Sequence, residues 1–203
     1  MANTEIFDNL AENYDNESRK EIALHTAATI RDTLSALEIN GKTLIDYGCG
    51  TGLVGLQLVD LFEQVTFIDA SSNMVEAVKE KIQNESIPNT RVICANAAEK
   101  LDEQVKADVL ILAQVLLHEA DTRTLLEALS HMVNPEGIIV IVDFERNDAV
   151  ESDRVHHGFE LMQLQADLLF AGFEPIHSQL FLHAEKYFMG QDASLFILVA
   201  KKQ

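Results

Sequence analysis

Apolar and polar positions along the chain follow two periods. Between residues 19 and 37, Ile22, Ala23, Ile30, Leu34 and Leu37 recur with polar residues between them, a stripe that predicts a helix. Thr43-Leu-Ile-Asp46 reads as a short strand running into a cluster of glycines, and residues 53–62 as a helix opening directly from that cluster. Residues 65–68 give a second strand ending at Asp69, and Ser71 or Ser72 is placed to cap a helix running to about Asn84. Third and fourth strands are expected over 91–95 and 108–113, and a helix over 122–132. Pro135-Glu136-Gly137 breaks the chain before 138–142, an unbroken apolar run such as a strand covered on both faces requires. A helix over 155–170 is stopped by Gly172. The segments 176–188 and 194–200 are joined by Met189-Gly190-Gln191-Asp192, short enough for a hairpin, so the last two strands are expected to be antiparallel.

About seven strands, the first five separated by helices, call for an α/β fold: a doubly wound, mostly parallel sheet with a C-terminal antiparallel hairpin. Residues 1–203 are expected to form a single domain, with 1–40 an N-terminal segment and helix and 41–203 the α/β core. The apolar share of 47 % supplies a sizeable core and excludes a disordered chain. Charge changes the picture of partners. With 33 acids against 15 bases the formal net charge is −18, so DNA or RNA meets repulsion rather than counterion release, and anionic membrane surfaces are disfavoured too. Cys49 and Cys94 are too few for a disulfide framework or a thiolate metal site and read as free thiols in a reducing cytoplasm. Residues 1–10 contain Glu5 and Asp8 without a long apolar core, so no signal peptide is expected. The longest apolar stretches fall short of the ~20 residues a membrane span needs.

Asp46-Tyr47-Gly48-Cys49-Gly50-Thr51-Gly52 joins the first strand to its helix. Ligands of parallel sheets bind beyond the carboxyl ends of strands. Glycines there let a ligand approach the backbone and leave amide N–H groups available to donate. A plain strand-to-helix turn needs one glycine, not three in alternation. Gly50-x-Gly52-x-x-Gly55 also satisfies the dinucleotide pattern, so spacing alone does not name the ligand. Asp46 narrows the choice, because a carboxylate here repels a pyrophosphate and accepts a hydrogen bond from an ammonium group. A ligand with an amino-acid part and no phosphate fits better. Asp69, 21 residues after Gly48, is placed to bind a ribose hydroxyl pair; the plainer reading is a helix N-cap or solvated turn residue.

With Asp69 closing the next strand, Asp46-Tyr-Gly-Cys-Gly-Thr-Gly52 resembles the class I S-adenosylmethionine-dependent methyltransferases. The resemblance covers most of the chain. Phe67-Ile-Asp-Ala-Ser-Ser-Asn-Met74 is similar to that family's second-strand segment, Asp108-Val-Leu-Ile-Leu-Ala113 to its fourth strand, Pro135-Glu-Gly137 to the turn before strand five and Ala171-Gly-Phe173 to the approach to strand six. Phe7-Asp-Asn-Leu-Ala-Glu-Asn-Tyr-Asp15 resembles the N-terminal lid of its small-molecule branch. The resemblance implies a Rossmann-like sheet and S-adenosyl-L-methionine as cofactor. It places Gly48, Cys49, Gly50, Thr51 and Gly52 under the cofactor's methionine part, Asp46 at its amino group and Asp69 at its ribose. Ala70 and Met74 fall beside the adenine, and Gln114 and Val115 at the reacting methyl. Asn96-Ala97 occupies the place where the family commonly has an acid for the adenine amino group; an amide oxygen accepts the same bond without charge.

Methyl transfer from a sulfonium is an in-line displacement in which the protein supplies alignment, water exclusion and, for some acceptors, a base. His118, four residues past Gln114, is a candidate base or acceptor-binding group, against a plainer role as loop anchor or helix cap near Asp121. His156-His157 lies where the family places acceptor-binding residues, and His157 is the second candidate; adjacent histidines make a poor metal pair. Tyr14 is the third, closing over the cofactor or packing a helix. Met162 and Leu164 are expected in the core, and Cys49 as a space-filling turn residue with nothing basic beside it to activate a thiolate. The expected function is methyl transfer to a small-molecule acceptor, without nucleic acid or membrane as partner. The alternatives are an NAD-dependent oxidoreductase and a non-catalytic cofactor-binding protein.

Overall fold

Helix α1, Glu17–Ala36, begins where the Asn16 side chain accepts the Arg19 N–H at 2.9 Å. Its buried positions Ile22, Ala23, Thr26, Ala27, Ile30 and Leu34 recur at spacings of three and four, one stripe turned inward. The computed structural model of the protein describes residues 14–95, 105–150 and 155–203. Strand β1, Thr43–Tyr47, pairs in parallel with β2, Gln64–Asp69, and β2 with β3, Thr90–Cys94. On the other side β1 pairs with β4, Ala107–Ala113, and β4 with β5, Val133–Phe144, again in parallel. Helices α2, Ser72–Glu85, α3, Thr122–Ser130, and α4, Leu161–Phe170, connect them. The hairpin of β6, Phe173–Phe188, and β7, Gln191–Lys202, completes a seven-stranded sheet in the order β3-β2-β1-β4-β5-β7-β6. β7 lies antiparallel between β5 and β6. The expected doubly wound sheet and its hairpin are therefore present.

The apolar run 138–142 is buried throughout, as a strand inside the sheet requires. At the opposite end of β4 from the glycine turn, Asp108 fastens three strands: its Oδ2 accepts the Lys42 and Thr43 amides and its Oδ1 the Asn134 side-chain amide. The order reverses between β1 and β4, whose connections leave in opposite directions. That divergence opens a crevice beyond their carboxyl ends.

Several elements differ from expectation. The segment after the glycine turn is a 3-10 helix, Gly55–Leu61, rather than an α-helix over 53–62. Gly52, Gly55 and Leu58 are buried at a strict spacing of three, the 3-10 period, and Gln57 N–H closes on the Val54 carbonyl at 3.1 Å. Arg31 of α1 clamps this segment with a forked bond to Asp60 and one to the Gln57 carbonyl. Ser71, not Ser72, caps α2, accepting the Met74 N–H at 3.2 Å. Pro135-Glu136-Gly137 does not interrupt the strand but is absorbed in β5, where the pairing with β4 shifts register. Helix α4 starts at Leu161, not at 155. Residues 155–160 are instead held alongside the end of β5, with Phe159 N–H on the Phe144 carbonyl and Arg146 N–H on the Phe159 carbonyl. Met162 is exposed, contrary to the expected core position, whereas Leu164 is buried.

Gly55 packs against the end of β1 so closely that a Cβ there would stand 2.3 Å from Asp46 Oδ2 and 2.6 Å from the Phe67 ring. Neither neighbour is a flexible tip, since Phe67 is fully buried. Gly55→Ala is expected to cost about 2 kcal/mol or more through overpacking, read as a lower melting temperature. A melting temperature equal to the parent's would contradict this packing.

Candidate active site

The crevice is a cleft enclosing about 1150 Å³, part of it open to solvent, between the glycine turn, α1 and the turn after β4. On the near wall, Gly48 adopts φ +67°, and a Cβ there would lie 2.6 Å from Val115 Cγ2, so glycine is required both by conformation and by space. The turn's amides are bonded within the protein. Gly48 and Cys49 N–H both reach the Ile68 carbonyl, at 2.7 and 3.1 Å, Gly50 N–H reaches Asp69 Oδ2 at 2.7 Å, and Gly52 N–H reaches the Cys49 carbonyl at 2.8 Å. Four of the five amides from Gly48 to Gly52 are thus engaged, contrary to the expectation that they stay available for a ligand. A nest of donors for phosphate is not what this turn presents.

Carboxylates define the turn instead. Asp46, at the end of β1, is 2 % exposed, and its Oδ2 has no hydrogen-bond partner of regular geometry among the described residues. Burial pushes this carboxyl up to about 7, the neighbouring Asp69 charge adds to the rise, and the Gly55 amide offsets it in part. Asp69 accepts Ser71 N–H on Oδ1 at 2.9 Å as well as Gly50 N–H on Oδ2, so it bridges the turn and the start of α2. It is not the cap of that helix, which is Ser71. Cys49 is buried, and burial raises its thiol well above the usual range, so the side chain is a protonated filler.

On the opposite wall, Gln114 follows β4 with φ +57°, its N–H donating to the Val142 carbonyl at 2.7 Å. A 3-10 turn, Leu116–His118, comes next. Burial lowers the His118 imidazole to about 4, so the ring is neutral at neutral pH and a weak proton acceptor. It does not cap α3, whose cap is Asp121, accepting the Thr124 N–H at 3.0 Å. This turn is braced from β5 by Asp143, a fully buried carboxyl that accepts Leu117 N–H at 3.3 Å and Phe144 N–H at 2.9 Å and is pushed up to about 7 by burial.

Of the residues singled out in the sequence, Tyr14, Asp46, Gly48, Cys49, Gly50, Thr51, Asp69, Ala70, Gln114, Val115 and His118 all line the cleft. Gly52 lies outside its lining, packed against Leu56 and Val78, and Met74 is buried in the core. His157 is exposed and outside it as well; His156 donates its N–H to the Leu117 carbonyl and stacks on Phe159 at 5.0 Å. Asn96, Ala97 and residues 7–13 of the N-terminal segment lie outside the described residues.

Arg19 and Tyr187 also line the cleft and went unrecognised in the sequence. Arg19 stands over the Tyr14 ring at 4.2 Å and donates to the Tyr14 carbonyl at 3.1 Å; no described carboxylate lies within ion-pair distance of it. Its spacing of three and four before Ile22 and Ala23, which also line the cleft, puts it on the same face of α1, and that was a usable signal. Tyr187 arrives from β6 at an irregular stretch of its pairing with β7, between Ala184 and Phe188, and has no local signature. Burial raises both tyrosines above their usual range.

A seven-stranded sheet of this order, with a glycine turn and two acids beyond β1 and β2, defines the class I methyltransferase fold. The Methyltransferase domain family profile matches residues 39–185, and the chain belongs to that family. A ubiquinone biosynthesis O-methyltransferase of Bartonella bacilliformis is 30 % identical over 117 residues, covering 57 % of this chain and 46 % of that protein. The chain spans less than half the length of the first curated relatives it matches, 39 % and 46 %. Among solved structures, the 1,6-didemethyltoxoflavin-N1-methyltransferase of Burkholderia thailandensis superposes with a TM-score of 0.76 at 20 % identity, covering 98 % of this chain and 87 % of that one. A SAM-dependent methyltransferase from Aquifex aeolicus gives 0.75 at 16 % identity, covering 97 % and 98 %. The NAD-dependent alternative falls with the family match and with the engaged amides of the turn. No helix among the described residues is long and apolar enough to cross a membrane.

The two raised carboxyls give the ligand-free protein a defined pH response. Asp46 and Asp143 keep their protons up to about 7 when folded but release them near 4 when unfolded. The folded state thus binds more protons between about pH 4 and 7, and stability falls as pH rises through that window. Asp46→Asn is expected to flatten the fall, leaving the variant close to the parent at pH 5 and more stable at pH 8 by thermal unfolding. A difference that stays constant with pH would contradict the buried setting of this carboxyl.

Proposed function

We propose that the protein is an S-adenosylmethionine-dependent methyltransferase acting on a small organic acceptor. The observation that carries this reading is the buried Asp46 carboxyl, whose Oδ2 is unpartnered beside a turn that offers no array of amides for phosphate. An ammonium group satisfies such an oxygen and draws the carboxyl into its charged form. Arg19 supplies the matching cation for a carboxylate, so the two ends of an amino acid each meet an opposite charge. Asp69 accepts the ribose hydroxyls, having about four lone-pair sites and being oriented by the Gly50 and Ser71 amides. Ala70 lies beside it for the base, with Asn96 and Ala97 assigned to the same end from sequence alone. Gly48, Cys49, Gly50 and Thr51 form the floor, Gly52 supports it from below, and Met74 acts only as packing behind α2.

The bound cofactor supplies an electrophilic methyl group. The chain's own work is to hold both reactants in line and exclude water. Gln114 and Val115 face the methyl end, and Tyr14, just ahead of α1, covers Gly50. His118, neutral and weakly basic, orients the acceptor by hydrogen bonding rather than removing its proton. No chemical role is proposed for His157, which stands exposed. A small acceptor accords with relatives named for ubiquinone and toxoflavin, and with a cleft of this size. Its recognition falls to the N-terminal segment, the turn after β4 and Tyr187, with no separate substrate domain in these 203 residues. The weak base favours one competing reading, a cofactor-binding protein without transfer activity.

Calorimetry is expected to show binding of S-adenosylmethionine and of S-adenosylhomocysteine, with Asp69→Ala weakening both about tenfold or more through loss of charged hydrogen bonds. Failure to bind either would sink the reading. A labelled-methyl screen over metabolite extracts separates the two alternatives: incorporation into a small molecule is expected, and cofactor affinity without incorporation favours the non-catalytic protein.

A further inference from the structure

Three segments distant in sequence meet at one carboxylate. Asp15, just before α1, accepts the Thr51 hydroxyl on Oδ1 at 2.5 Å and the Lys81 ammonium on Oδ2 at 2.6 Å. The same ammonium donates to the Thr51 carbonyl at 2.7 Å, closing a three-membered ring of contacts between the entry of α1, the glycine turn and α2. The two charged side chains are 29 % and 26 % exposed, and Thr51 is buried. This differs from the pairs Lys20–Glu17 and Lys79–Glu76, which join neighbours on a single helix and are more exposed. A half-buried pair of this kind is screened less than a surface pair. The residue preceding Asp15 in the chain is Tyr14, whose ring lies 3.6 Å from where a Gly50 Cβ would stand and carries the Arg19 guanidinium over it at 4.2 Å.

We propose that Asp15 and Lys81 are positioning residues for the reaction: with Thr51 they clasp the entry of α1 to the glycine turn and so hold Tyr14 and Arg19 over the place of the cofactor's methionine end. The proposal rests on the cofactor reading above. Neither residue lines the cleft, so their effect on the ligand passes through Tyr14, Arg19 and Thr51, which do. Releasing the clasp leaves the cofactor's other contacts, Asp46 and Asp69, in place. The consequence is weaker retention of the ligand rather than loss of the fold.

The test is a double-mutant cycle of Asp15→Asn and Lys81→Met, read by calorimetry with S-adenosylhomocysteine and by thermal unfolding without ligand. Each single variant is expected to weaken binding about fivefold. The double variant is expected to lose less than the product of the two single losses, because the two residues share the Asp15–Lys81 contact. Singles that bind like the parent overturn the proposal, as do losses that multiply in the double variant. A lowered melting temperature with unchanged affinity would make the clasp structural only and overturn it equally. Failure of the cofactor reading shows itself separately, as a parent protein that binds no product.

Discussion

Two consecutive acceptors at the end of β2, the Ile68 carbonyl and the Asp69 carboxylate, hold the turn that follows β1. The cleft depends on this arrangement. Because Ile68 takes the Gly48 and Cys49 amides and Asp69 takes that of Gly50, the turn is fastened before any ligand arrives and its donors are already engaged. What the cleft presents besides is side-chain charge: an acid buried behind the turn, an acid at its rim and a guanidinium among its lining residues. The −18 formal charge of the chain makes that guanidinium conspicuous, since it stands in the cleft of a strongly acidic molecule. Burial is unfavourable for the charged form of Asp46, and the Gly55 amide offsets that only in part.

The far wall is built on the same plan. Gln114 bonds back to the Val142 carbonyl, and Asp143, the next residue, receives the Leu117 amide. As β2 fastens the turn after β1, so β5 fastens the turn after β4. The switch in strand order between β1 and β4 therefore does more than open a crevice, since each of its walls is tied to the strand outside it. His118 stands on this wall, and burial of its ring is what lowers its proton affinity.

Much of this was legible in the sequence, for reasons that also mark the limits. The unbroken run 138–142 and the alternation of strands and helices are properties of single segments, and they gave the sheet and its hairpin. The places of Asp46, Asp69, Gly48 and Gly50 at the cleft were readable because they stand at strand ends, whereas Gly52 falls outside its lining. The 3-10 helix was not, because its geometry follows from Gly55 being pressed against Asp46 and Phe67, a contact between distant segments. The late start of α4 has a similar origin: residues 155–160 are drawn onto the end of β5 by backbone bonds that no periodicity records. Asp143 is placed by sheet register, directly after an apolar run, and Tyr187 by an irregular stretch of the hairpin; neither has a local signature. Arg19 alone had a signal that could have been used.

The place of β7 has a consequence for how the molecule comes into being. β6 is made first, yet among the described strands it touches only β7, which inserts between it and β5. Sixteen residues of β6, with Ile176 and Leu180 on the outside, therefore find their strand partner only in the segment synthesised after them. Leu195 to Ala200, wholly buried, are covered only once β7 has a neighbour on each side. Until then, the free edge of β5 is the surface on which a nascent chain can pair with the wrong partner.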